Sequence, residues 1–237
     1  MSGSTTPPGA GHGDALEAPP KRRLVILARW PAPGRCKRRL AAELGDRRAA
    51  RVQDRLTHHA VAASRTACAG AAAELVLAAS GIGASAARRW GLALGADQVV
   101  PQGTGSLGVR LRRQVVRARR EGVRQLLLIG SDLPELAAAD LIEAFGVLAR
   151  GAPLVLGPAL DGGYWLIGLG WRGVGGGCAA ASAGAPRLFA GAAGPIPWGT
   201  SAVLRQTLAA ADQEALLATL VATRADLDRP GDLAHWR

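Results

Sequence analysis

The chain has 237 residues, 49% of them hydrophobic, and its 29 Lys and Arg against 18 Asp and Glu give a formal charge of +11. That apolar fraction excludes wholesale disorder, and the length allows one large domain with a buried core. No apolar run reaches the roughly 18 to 20 residues of a membrane span, and Met1 to Pro20 lack the apolar stretch of a signal peptide, so a cytoplasmic protein with a flexible tail over residues 1–20 is expected.

Short apolar runs then alternate with helix-period segments, the pattern of an α/β fold. Leu24–Ala28 is uninterrupted and reads as a strand buried on both faces. A helical pattern over 38–68 follows, then a strand at Glu74–Ala79 and a short one at Gln98–Val100. Leu107, Leu111 and Val115 recur at i, i+4 and i+8 in a helix over 107–121, with arginines on its other faces. Gln125–Ile129 reads as the central strand, 138–149 as a helix, and Leu154–Leu156 and Tyr164–Leu169 as strands. The Gly/Ala-rich stretch 170–195 lacks periodicity and reads as a long loop, before a helix over 201–211 and a late strand at Leu220–Thr223. No repeat or linker divides the pattern, so residues 21–237 are expected to form one domain.

The basic excess sits in two places. Residues 21–55 carry 12 basic and 3 acidic side chains, and residues 110–124 carry 7 and 1. The near absence of lysine, Lys21 and Lys37 only, suits a GC-rich coding bias, but that bias does not explain the clustering. Aromatics that could stack on bases are not interleaved with the arginines, so no nucleic-acid partner is expected and a phosphorylated small ligand fits better. Cys36, Cys68 and Cys178 are odd in number and far apart, which excludes a disulfide framework and a zinc knuckle. His58 and His59 are adjacent on a helix and point to different faces, and no G-x-S-x-G elbow supports a serine hydrolase.

In an open parallel sheet, ligands bind at the carboxyl ends of the strands, where the special residues of this chain cluster. After the first strand come Pro31, Pro33, Gly34, Arg35, Lys37, Arg38 and Arg39. A tight turn leads into a helix start with free N–H groups, so this segment is either a diphosphate cradle or an ordinary turn with a basic face. After the central strand come Gly130, Ser131 and Asp132. Asp132 is placed either to cap a helix near Pro134 or to hold Mg²⁺ or Mn²⁺ shared with phosphate oxygens. Asp161-Gly162-Gly163-Tyr164 combines a carboxylate with glycines suited to close backbone approach or positive φ, although turn chemistry alone favours the same residues. Asp226 and Asp228 flank Leu227 and point to one side if that segment is extended. Gly103-Thr104-Gly105-Ser106-Leu107-Gly108 matches G-x-G-x-x-G, but it follows a short strand ending in Pro101 and lies mid-chain, which argues against a dinucleotide site.

In this order the motifs resemble the DUF2064 family, also called radical SAM/selenodomain-associated transferase 1. The family's P-x-P-G-x-x-K-T-R-L corresponds to Pro31 through Leu40, Q-G-x-G-D-L-G-x-R-M to Gln102 through Leu111, and I-G-S-D-x-P-x-L to Ile129 through Leu136. Its L-G-P-x-x-D-G-G-Y corresponds to Leu156 through Tyr164, P-W-[SG]-T to Pro197 through Thr200, and D-x-D-T-P-x-D-L to Asp226 through Leu233. Arg38, Ser106, Leu111 and Arg229 depart from the pattern, replacing Thr, Asp, Met and Thr.

The resemblance implies a three-layer αβα, Rossmann-like sheet of the nucleotide-diphospho-sugar transferase (glycosyltransferase-A) type, mostly parallel with an antiparallel strand. It implies a glycosyltransferase using a nucleotide-sugar donor, a small-molecule acceptor and Mg²⁺ or Mn²⁺, and no membrane partner. Pro33, Gly34, Lys37, Arg39, Gln102, Gly103, Gly105, Gly130 and Ser131 would bind the donor, and Asp132, with Asp228 or Asp161 as the second carboxylate, the metal. Asp132, Asp161 and Lys37 would act in catalysis, and Gly162, Gly163, Tyr164, Trp198 and Thr200 would meet the acceptor. The first loop also resembles that of 2-phospholactate guanylyltransferases, so nucleotidyl transfer from a nucleoside triphosphate is the alternative.

Overall fold

A computed structural model describes residues 21–171, 187–191, 194–228 and 230–235. The tail expected at 1–20, most of the Gly/Ala-rich stretch, Cys178 and Arg229 lie outside these residues.

Seven strands form one sheet: β1 (Arg22–Arg29), β2 (Ala73–Ser80), β3 (Gln98–Pro101), β4 (Gln125–Gly130), β5 (Leu154–Pro158), β6 (Tyr164–Gly170) and β7 (Ala218–Leu220). Their spatial order is β3-β2-β1-β4-β6-β5-β7, and only β6 runs antiparallel to its neighbours. The helices are α1 (Arg38–Leu44), α2 (Asp46–Ala71), α3 (Ala84–Leu94), α4 (Leu107–Arg120), α5 (Ala138–Ala149) and α6 (Val203–Gln213).

Side-chain alternation sorts the core into two layers. Leu24, Ile26 and Ala28 pack with residues of α2, α3 and α5 on one face, while Val25, Val76 and Ala78 pack with α4 and α6 on the other. The result is the expected three-layer, mostly parallel architecture with one antiparallel strand. The chain order reverses between β1 and β4, which opens a crevice at their carboxyl ends.

Six expected strands form in place, the seventh lies at Ala218–Leu220 ahead of the Leu220–Thr223 expected for it, and the helices differ in detail. The pattern over 38–68 is two helices, broken at Gly45 with φ +79. Helix α3 was hidden by its short, Gly-flanked sequence. The late strand closes at Leu220, and the stretch read as loop contains a 3₁₀ turn at Arg187–Phe189 that buries Leu188 and Phe189. His58 is exposed beside Asp54, whereas His59 turns a buried Nε2 inward. Among the described residues, no helix is long and apolar enough to cross a membrane.

Candidate active site

At the carboxyl ends of β1, β2 and β4 lies a cavity of about 510 Å³. The β1 loop contributes Arg35, Cys36, Lys37, Arg38 and Arg39, and the β4 turn contributes Gly130, Ser131 and Asp132. Gln102, Leu107, Arg110 and Leu111 close the α4 side.

Lys37 is the pivot. It takes a left-handed backbone conformation, φ 45, just before α1, which turns its side chain inward until only 3% is exposed. Its Nζ donates to Asp132 Oδ1 at 3.0 Å and to the Leu227 carbonyl at 2.5 Å. Leu227 N–H in turn donates to the Asp132 carbonyl at 2.9 Å, so the segment after β7 is stitched to both loops. Asp132 does not cap a helix, because the next one, α5, begins only at Ala138. Beside it, buried Ser131 accepts a 3.0 Å hydrogen bond from Gln53 of α2.

The segment 224–228 reaches the site along a pinned path. Arg224 pairs with Asp140 of α5 at 2.5 Å and exchanges backbone hydrogen bonds with Pro158 and Leu160. Leu227 is fully buried against Leu40, Ala49 and Leu56, while Asp228 pairs with Arg39 at 2.6 Å. Asp226 was not singled out from its neighbour by the sequence. Burial, then repulsion from Asp132, Asp161 and Asp228, pushes its carboxyl up to about 7, with Lys37 opposing. Three other carboxylates therefore act on Asp226, although among the described residues no group of three forms a metal-ligand cluster.

Of the residues expected to act, Lys37, Arg39, Gln102, Gly130, Ser131, Asp132, Tyr164 and Asp228 line the cavity. The others do not line it. Pro33 and Gly34 form an exposed turn, Gly34 at φ +74 against Asp46. Gly103 and Gly105, at φ +77 and +106, curl the β3–α4 loop under the Arg113 guanidinium. Asp161 accepts from Gly163 N–H at 2.8 Å, and Gly162 at φ +87 lies against the Ser201 backbone. Thr200 bonds the Pro197 carbonyl within its own turn. Tyr164 meets Trp198 edge-on at 6.4 Å, and its ring borders the cavity while its hydroxyl is buried near Thr207.

The lining is strongly cationic. Lys37 and Arg39 have carboxylate partners, but among the described residues no salt bridge engages Arg29, Arg35, Arg38 or Arg110. Such a surface suits a polyanion, and its position at the chain-order reversal is where α/β sheets bind ligands.

The family model described as "Uncharacterized protein conserved in bacteria (DUF2064)" matches residues 61–200. Among solved structures, the chain is similar to a protein of Desulfovibrio desulfuricans G20 assigned as a nucleotide-diphospho-sugar transferase. The two share 25% identity with a TM-score of 0.71, over 88% of this chain and 82% of the other. In fold alone it is similar to glucosyl-3-phosphoglycerate synthase of Mycobacterium tuberculosis in complex with Mn²⁺, UDP and glucosyl-3-phosphoglycerate. Identity there is 14% and the TM-score 0.53, over 98% of this chain and 81% of the other. No curated protein matches.

Proposed function

Because the chain belongs to the DUF2064 family and has the fold of the nucleotide-diphospho-sugar transferases, we propose that it is a metal-dependent glycosyltransferase, with residues 21–237 as one catalytic unit. The observation that carries the reading is the cavity at the β1–β4 crevice, where Lys37 pairs with Asp132 and Arg35 and Arg38, without a salt bridge among the described residues, add to the lining. A nucleotide-sugar donor would lay its diphosphate against these cations, which stabilise the charge left on that group when the glycosyl bond breaks.

The carboxylates suit a divalent cation. Asp132 and Asp228 would hold Mg²⁺ or Mn²⁺, and the mutual repulsion that reaches Asp226 is what a dication relieves. Such an ion, when bound, neutralises the leaving diphosphate. Lys37 and Arg39 now sit on these two carboxylates, and incoming phosphates offer both cations a stronger partner. Asp161, in the turn that leads into Tyr164, would receive the acceptor's proton.

Thermal shifts with nucleoside diphosphates and nucleotide sugars, with and without Mn²⁺, test the reading. A metal-dependent rise in Tm is expected, and Asp132→Asn should abolish it. An unchanged response in the variant would remove Asp132 from the metal site. The cavity arginines that have no salt bridge among the described residues also suit a triphosphate, which favours nucleotidyl transfer as the second reading. Release of pyrophosphate from a nucleoside triphosphate, against release of a nucleoside diphosphate from a sugar donor, separates the two.

A further inference from the structure

Gln102 was expected to touch the donor, but its polar atoms are spent elsewhere. It is 4% exposed, and its Nε2 donates to the carbonyls of Ala28 and Ala78 at 3.0 and 2.9 Å, tying the ends of β1 and β2 together. Its Oε1 accepts from Arg110 Nη1 at 3.3 Å, while Arg110 Nε donates to the Gly105 carbonyl at 3.1 Å. Arg113 bonds the carbonyls of Gln102 and Thr104, fixing the loop that carries these acceptors. Two neutral acceptors thus fix the Arg110 guanidinium through Nε and Nη1, and among the described residues no salt bridge engages it.

Arg29 lines the same cavity. It follows Val25 and Leu27 on the face of β1 turned toward α4, and its Nη1 donates to the Arg35 carbonyl at 2.9 Å. It too has no ion pair among the described residues. The neighbouring wall is apolar, formed by Leu27, Leu107 and Leu111. A guanidinium pre-oriented by a buried amide in such surroundings is built to take a planar or tetrahedral anion.

We propose that Arg110, with Arg29 tied to the β1 loop beside it in the same cavity, forms a second anion subsite apart from the Lys37–Asp132 pair, which takes a phosphate or carboxylate group of a substrate beyond the diphosphate. This rests on the cavity being the substrate site, as proposed above. Arg110 is then a specificity-determining contact, and Gln102 is its positioning residue.

The test uses the full chain labelled with ¹⁵N-arginine and titrated with inorganic phosphate, pyrophosphate and acetate. The Arg110 Nε–H resonance is identified by its loss in Arg110→Met. Phosphate should move that resonance to saturation in wild type and equally in Lys37→Met, and Gln102→Leu should weaken the response about tenfold. Saturation by acetate as well assigns the group to carboxylates, and saturation by phosphate alone assigns it to phosphates. If phosphate or pyrophosphate moves the β1-loop arginines and leaves Arg110 unmoved, the subsite is wrong and the donor reading stands. If no anion moves any arginine of the cavity, both fall.

Discussion

At the scale of single residues, Asp226 sets the pH behaviour. Its carboxyl is raised from 3.8 to about 7, first by burial and then by Asp132, Asp161 and Asp228. An acid with a raised folded-state pKa binds its proton more tightly when folded, so its cost is absent below the unfolded value and grows as pH rises toward the folded one. Above about pH 7 that cost is of order a few kcal/mol. Asp226→Asn should therefore raise the Tm by several degrees above about pH 7 in metal-free buffer, and change it little near pH 4. Equal shifts at both pH values would show that Asp226 does not carry the strain. Lys37 and Asp132 were legible in the sequence because each ends a turn after an obvious buried strand. The division between Asp226 and Asp228 was not legible. Alternation puts both on one side of an extended segment, and only the buried Leu227 decides which is drawn inward and which meets Arg39.

At the scale of elements, the Asp161–Tyr164 turn shows why a glycine pair is needed and which member needs it. Gly162 combines φ +87 with an approach so close that an added Cβ would lie 2.4 Å from the Ser201 carbonyl oxygen. Its own carbonyl accepts from Leu204 N–H at 3.0 Å, docking the turn on the start of α6. Gly162→Ala should cost about 2 kcal/mol in denaturant unfolding. Gly163→Ala meets only the Asp161 carboxylate at 3.1 Å and should cost less. A reversed order would show that the turn is not seated on α6 as described. The strand pattern was legible because uninterrupted apolar runs have few other uses. The role of Gln102 was not, because it depends on two strand-end carbonyls that chain order does not bring together.

For the whole molecule, the +11 charge divides by function once folded. One share lines the cavity, from Arg29 to Arg39 and Arg110. Another is structural and far from it: Arg23, 1% exposed, pairs with Glu74 and Glu121 at 2.5 and 2.6 Å, and Arg22 bonds Gln125 and the Ala71 carbonyl. A third lies on the outer face of α4, where Arg112, Arg113, Arg117 and Arg120 flank a second cavity of about 490 Å³. Only part of the two basic segments therefore lines the cavity. Like charges gathered in one crevice oppose folding until screened, so the Tm should rise from low to physiological ionic strength. In saturating pyrophosphate the rise should shrink, and an equal rise in both conditions would place the repulsion outside the cavity. The strap through Leu227 also bears on how the molecule comes into being. Lys37 must wait for a carbonyl 190 positions further along the chain. A nascent chain that has laid down β1 through β6 already has most of its core, yet its pivotal lysine still lacks that partner. Burying a core and acquiring a working crevice are thus separate events in its synthesis, and the second comes last.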